Sequence, residues 1–251
     1  METQDKNEKG NHGEKDEILY KKYIFENRAN IDFLTNIFDT SACDGIEIIN
    51  PNTKTPYNSI EQIKKASRVS KPDIIILFKD TNVIRYCSIK SLRGAKPSIV
   101  NHTPRSAKVF QTTLHHCLLD IDKIAKEYND KRKERKIGED IAFGKLQSFN
   151  DENVRINFIE MISYFLFTGT GSRISPNECD SILVINKDGS ITFIDCDTDE
   201  KKKNYLDSII HNCIISFRNK GMPTKMNDVC IPWIYTNEIT GKLCGSIHVR
   251  L

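Results

Sequence analysis

Residues 74–78 (IIILF) are apolar without a break, while residues 83–90 (VIRYCSIK) alternate between two sets of side chains. The first pattern predicts a strand buried on both faces and the second a half-buried strand. The turn-like KDTN between them makes the pair, 73–78 and 83–90, a hairpin. On the second strand Ser88 and Lys90 share one face, because side chains alternate along a strand. Helical spacing recurs over 13–25, where Ile18, Leu19, Tyr23 and Ile24 are apolar, and a second helix is expected at 29–38. Residues 50–59 are loop by their Pro, Asn and Thr content. Residues 91–105 (SLRGAKPSIVNHTPR) lack periodicity and also read as loop. A long helix is expected over 106–128, with Val109, Phe110, Leu114, Cys117, Leu118, Ile121 and Ile124 as its stripe, and another over 151–167. A second hairpin, 181–186 and 191–195 joined by KDG, precedes a helix at 199–210 and short strands near 213–218 and 245–250.

This order of elements predicts a mixed α/β fold. Residues 1–12 are expected to be flexible and 13–251 to form a single domain. Within it a core of about 13–128 is followed by recognition and further core elements over about 140–251. The chain has 251 residues, 38% hydrophobic and 28% charged, enough apolar content for a sizeable core. A net charge of +3 says little, but Lys and Arg cluster at 131–136 and 201–203. Such runs are usually solvated faces, here compatible with nucleic acid. The first residues contain no apolar segment of a secretory signal, and no stretch is long enough to span a bilayer, so a cytoplasmic protein with no membrane partner is expected. The eight cysteines form no CxxC pair and are expected to be free thiols. Neither Cys87 nor Cys117 has the surroundings of a nucleophile, although His115 and His116 lie near the latter. The glycines of GTGSR (Gly169, Gly171, with Arg173) lack the spacing of a phosphate-binding loop and read as a turn.

The charges at the hairpin ends carry the chemistry. An acid at the start of one strand and a lysine at the end of its partner can meet at one mouth of a sheet. There Asp73 could bind a divalent cation, and Lys90 could hold water and offset phosphate charge. The plain alternative is two solvent-facing charges, or a salt bridge between them. The segment that follows offers Arg93, Lys96, Ser98, Asn101, His102, Thr103 and Arg105, side chains that position phosphates or read base edges.

"PD" at 72–73, followed by "SIK" at 88–90, resembles the PD-(D/E)XK nuclease signature. The continuation SIKSLRGAKPSIVNHTPRSAKVF is similar more narrowly to Type II restriction endonucleases of the HpaII kind, over about residues 13–118. The resemblance implies a restriction-endonuclease-like core, a mixed central β-sheet flanked by helices. It implies Mg²⁺-dependent hydrolysis of double-stranded DNA leaving a 5′-phosphate, a homodimer as one option, and a cognate DNA methyltransferase encoded nearby. Asp73 and Lys90 carry over as catalytic residues, Asp73 as a metal ligand. Ser88 stands where the family has its second acid, and its hydroxyl could still bind metal-bound water. A glutamate from the first helix could replace the missing charge. The resemblance favours Glu14, with Glu17 close behind, and both could instead be ordinary glutamates near a helix start. Two other readings stay open: a structure-selective nuclease of the junction-resolving or repair type, and an inactive DNA-binding module.

Overall fold

The computed structural model describes residues 12–38, 44–67, 70–102, 108–133, 141–170, 174–219, 222, 232–237 and 240–251. Thr103, Arg105, Gly171, Arg173, residues 134–136 of the basic run and the N-terminal segment before His12 lie outside them. The chain gathers into two compact units. One comprises the chain through Pro97 together with Ser175–Lys201; the other comprises Ser98–Ile174 and Lys202–Leu251.

The first unit is a mixed five-stranded sheet with helices packed on it. Its helices are α1 (His12–Glu26) and α2 (Ile31–Phe38), and its strands are β1 (Ile46–Ile49), β2 (Ile74–Phe78), β3 (Ile84–Ser91), β6 (Ser181–Ile185) and β7 (Ile191–Asp195). They run in the order β1-β2-β3-β6-β7, with β3 and β6 parallel and every other pair antiparallel. A parallel pair needs a long crossover, and here the chain between Pro97 and Ser175 makes it. The apolar run of β2 is central: Ile74, Ile75, Ile76 and Phe78 are all buried. Such runs usually belong to parallel sheets, yet both neighbours of β2 are antiparallel. What the run records is burial on both faces. Cys87 and Ile89 of β3 join Ile46, Ile48, Ile74 and Ile76 in one core with Tyr20, Ile24 and Phe25 of α1 and Leu34 and Phe38 of α2. Each fully buried isoleucine contributes about 1.5–3 kcal/mol as an upper figure. The KDTN turn closes through Phe78 N–H donating to Val83 O (2.9 Å), and Asn82 takes a left-handed φ of 56°, which asparagine tolerates.

The second unit holds an antiparallel sheet in the order β4-β11-β8-β5. Its strands are β4 (Ser98–His102), β5 (Ile141–Ala142), β8 (Ile214–Arg218) and β11 (Ser246–Arg250), beside a small ribbon of β9 (Tyr235–Thr236) and β10 (Leu243–Cys244). The expected helix over 106–128 is broken. It becomes α3 (Lys108–Gln111), a 3₁₀ turn at His115–Cys117 and α4 (Leu118–Lys133). The adjacent β-branched Thr112 and Thr113 sit at the break, where they disfavour helix. Even so Val109, Phe110, Leu114, Cys117, Ile121 and Ile124 are all buried. The helix α5 (Glu152–Ser163) starts on an Asp151 cap and ends in a π-helical turn at Tyr164–Thr168. Gly169 follows because a Cβ there would lie 2.2 Å from the Tyr164 ring. Helix α6 (Asp199–Ile210) begins in the first unit and continues in the second. Trp233 is buried against Phe110 and donates from Nε1 to Gly245 O (2.9 Å). The six described cysteines are free and buried.

His102 belongs to this second core. It is 1% exposed, its ring lies 4.9 Å from that of Phe110 and 5.6 Å from that of Phe165, and neither ring nitrogen has a hydrogen-bond partner among the described residues. Burial pushes its pKa down to about 4. A native pKa below that of the unfolded chain means that the unfolded state takes up the proton first. Stability from this group is therefore complete above about pH 6.5 and is lost as pH falls towards 4, a total of about 3 kcal/mol. His102→Phe should flatten that stretch of the stability-versus-pH curve in urea denaturation. Parallel curves for parent and variant between pH 6.5 and 4 would show that the buried ring is not the titrating group.

Candidate active site

The hairpin of β2 and β3 brings Asp73 to Ser88. Asp73 N–H donates to Cys87 O (2.9 Å), which carries the β2–β3 pairing one residue past the end of β2. The Asp73 carboxylate then turns to β3: its Oδ2 accepts from Ser88 Oγ (3.1 Å) and from Ile89 N–H (2.7 Å). No described residue donates to Oδ1. Ser88 is 1% exposed, so its hydroxyl is committed to this contact. Two residues on, Lys90 is half-buried, and its side chain makes neither a hydrogen bond nor an ion pair with any described residue. The salt bridge that would explain both strand-end charges is thus not formed.

The first helix supplies the second carboxylate. Asp16 and Glu17, adjacent on α1, are both buried and do different work. Asp16 accepts from Ser91 Oγ (2.5 Å) at the end of β3 and from Arg93 Nη1 (3.2 Å), tying α1 to that strand. Glu17 is thereby held near Asp73. Burial raises the pKa of Glu17, and the charge of Asp73 raises it further. The opposing pull is Lys21, one helical turn along, whose Nζ donates to Glu17 Oε1 (2.5 Å) and to Lys64 O (3.4 Å). Ala66 N–H donates to the same Oε1 (3.1 Å). Lys21 is completely buried. Glu14, by contrast, is exposed and ion-paired with Lys65. Of the two glutamates it is Glu17 that feels Asp73.

No family model, curated protein or solved structure matches this chain.

Two further groups surround the carboxylates. Lys71, two residues before Asp73, has its backbone N–H held by Ser175 Oγ (3.0 Å). Its ammonium is pushed down to about 8 by burial and then by the charge of Lys90, so two lysines gather beside Asp73. Tyr57 is buried, and its phenol is raised by burial and by Glu17. Asp16, Lys21, Tyr57 and Lys71 were not singled out from the sequence. The i, i+4 spacing of Glu17 and Lys21 was visible there, but the burial that separates this pair from a surface pair was not. A divalent cation of the hard, oxygen-seeking kind suits Asp73 and Glu17. Each carboxylate has one oxygen tied to the protein, and the other accepts nothing from a described residue.

The proposed DNA-reading segment divides between the two units. Arg93 and Lys96 belong to the first; Arg93 is bound to Asp16 and lies over the Tyr20 ring (5.8 Å), while Lys96 is exposed. Ser98, Asn101 and His102 belong to the second and form part of β4. Asn101 is exposed, Ser98 Oγ donates to Val100 O (3.0 Å), and His102 is a core residue. Reading His102 as a DNA contact is therefore corrected: its ring is enclosed by aromatic side chains. In the same unit His116, Cys117 and Glu160 converge, with His116 Nε2 2.6 Å from Glu160 Oε2. Burial, then Glu160, pushes the Cys117 thiol up to about 12, so it stays protonated and is a poor metal ligand.

The burial difference between the glutamates makes a direct test. Glu17→Ala leaves the Lys21 ammonium buried without its counter-charge and should cost about 3–5 kcal/mol of unfolding free energy. Glu14→Ala removes an exposed ion pair and should change stability by no more than about 1 kcal/mol. Urea titrations of both variants check this, and equal losses would mean that Glu17 does not neutralise Lys21.

Proposed function

We propose that the first unit is the catalytic core of a Mg²⁺-dependent nuclease of the restriction-endonuclease-like fold. The chain is on this reading a Type II site-specific endonuclease acting on double-stranded DNA in the cytoplasm, partnered by a methyltransferase encoded nearby and open to working as a homodimer. One observation carries the reading. Asp73 closes onto Ser88 and Ile89 N–H while Glu17 lies within its field, and the Lys90 side chain, on the same strand as Ser88, has no partner among the described residues.

Asp73 and Glu17 would hold the magnesium ion through their remaining oxygens, with Ser88 fixing the orientation of Asp73. A bound magnesium ion acidifies water and neutralises charge on a phosphoryl oxygen. Lys90 would orient the attacking water and donate to the phosphoryl oxygen that gains charge in the transition state. Lys71 adds positive charge beside it, which favours an anionic substrate over a neutral one. In-line attack then leaves a 5′-phosphate and a 3′-hydroxyl. A serine in place of a carboxylate at position 88 also suits an inactive binding module, so the assay must separate binding from cutting.

Incubation with plasmid, phage and branched DNA plus Mg²⁺ should give discrete fragments from the unbranched duplexes. Cleavage of branched DNA alone would point to a junction-resolving enzyme, and binding without cleavage to an inactive module. Asp73→Ala and Lys90→Ala should each lower the cleavage rate by at least about 10²-fold, the usual effect of losing one preorganised transition-state donor or more. With Ca²⁺ in place of Mg²⁺, Lys90→Ala should still bind specific DNA, more weakly as salt rises because phosphate contacts release counterions. Parent-like cleavage by Lys90→Ala would end its catalytic assignment.

A further inference from the structure

The nuclease reading leaves the number of metal ions open, and the buried lysine of α1 bears on it. Among the described residues of the unit, Lys21 is the largest fully buried side chain. Its Nζ reaches Glu17 Oε1 and Lys64 O, and Ala66 N–H completes the set around the same glutamate oxygen. An ammonium group held this way is a fixed cation with its coordination supplied by protein oxygens.

We propose that Lys21 serves as a built-in second cation of this site: it positions Glu17 and limits the site to one divalent ion per chain. The inference rests on the nuclease reading and deepens it. Lys21 is a positioning residue, since it acts through Glu17 and not on DNA.

Charge and the available oxygens both limit the site. Two-metal phosphodiester sites hold ions about 3.5–4 Å apart and need enough carboxylate to offset both. Here the carboxylates close enough for one charge to act on the other are Asp73 and Glu17, and a hydroxyl stands at Ser88. Lys21 is paired with Glu17, and Lys90, on the same strand as Ser88, adds a second positive charge to the site. Lys71 adds further positive charge beside Asp73. One divalent ion, together with an incoming phosphate, leaves the site modestly positive. A second ion would stack two more charges against three lysines with no added acid. The oxygens give the same count. Asp73 Oδ2 is taken by Ser88 and Ile89, and Glu17 Oε1 by Lys21 and Ala66. One oxygen from each carboxylate remains, enough to share one ion and too few to cage two.

The test uses Mn²⁺ alone with the full chain, counting bound ions from the loss of the free-ion paramagnetic resonance signal. One ion per chain is expected, and it should disappear in Asp73→Asn and in Glu17→Gln. A Glu160→Gln version of the chain is titrated alongside, so that binding at His116 and Cys117 is not counted. Two ions lost on mutation of Asp73 would overturn this inference and leave the nuclease reading intact. No ion bound at Asp73 would overturn the nuclease reading itself. Lys21→Met should weaken Mn²⁺ by about 10–100-fold, the range for losing a group that orients a ligand, and Lys21→Arg should recover part of it. Circular dichroism reports whether each variant is folded. A folded Lys21→Met with parent-like Mn²⁺ affinity would show that Lys21 is only structural. Should that variant not fold, the ion count on the parent and the affinity of Lys21→Arg still decide.

Discussion

An ammonium group sealed from water, as that of Lys21 is, would cost several kcal/mol without a partner, and Glu17 is the partner. That single pairing constrains much of the first unit. It requires α1 to lie with its Glu17–Lys21 face inward, so Asp16 meets the end of β3 through Ser91 and Arg93. It requires the segment 64–66 to pass close by, since Lys64 O and Ala66 N–H complete the shell. With helix, loop and strand fixed to one another, Glu17 arrives beside Asp73 and its carboxyl is raised by burial and by that neighbour's charge. Two carboxylates held in mutual opposition in a partly dry place are a costly arrangement for stability alone. A bound cation would relieve that cost.

The architecture was legible wherever local pattern and burial agreed. The unbroken IIILF run and the alternating VIRYCSIK became neighbouring strands, and KDTN became their turn, because each pattern is set by residues adjacent in sequence. The helix at 199–210 was legible for the same reason. What escaped was non-local. Strand β4 lay hidden in a stretch read as loop, since PSIVNH has only two aliphatic residues between polar ones. It is a strand because β11, at the far end of the chain, supplies its hydrogen bonds. The broken helix after residue 107 shows the opposite case: the apolar stripe was right while the backbone was not. Burial of Val109, Phe110 and Leu114 can be met by a short helix and a 3₁₀ turn as well as by one straight helix.

The placement of Asp73 against Ser88, with Lys90 on the same strand, was legible because strand alternation puts Ser88 and Lys90 on one side and the hairpin register does the rest. The choice between Glu14 and Glu17 was not. Both are acidic residues near a helix start, and only the packing of α1 tells a buried partner of Lys21 from an exposed partner of Lys65. His102 shows a similar limit from the other direction. A polar residue in a Pro- and Asn-containing segment looks available for contact until an aromatic shell closes over it.

Ser88 is where these threads meet. A carboxylate at that position would place a second negative charge against Asp73, with Glu17 already nearby, in a spot where Ser88 is almost wholly buried. Such a trio would demand all the positive charge that Lys21, Lys71 and Lys90 bring. The hydroxyl removes that demand while keeping a donor to hold Asp73 Oδ2. On the proposed reading, the charge that a second strand acid would carry comes from α1 through Glu17, whose buried carboxylate is paired with Lys21. On that reading a serine on β3 and a lysine inside α1 are two halves of one electrostatic solution.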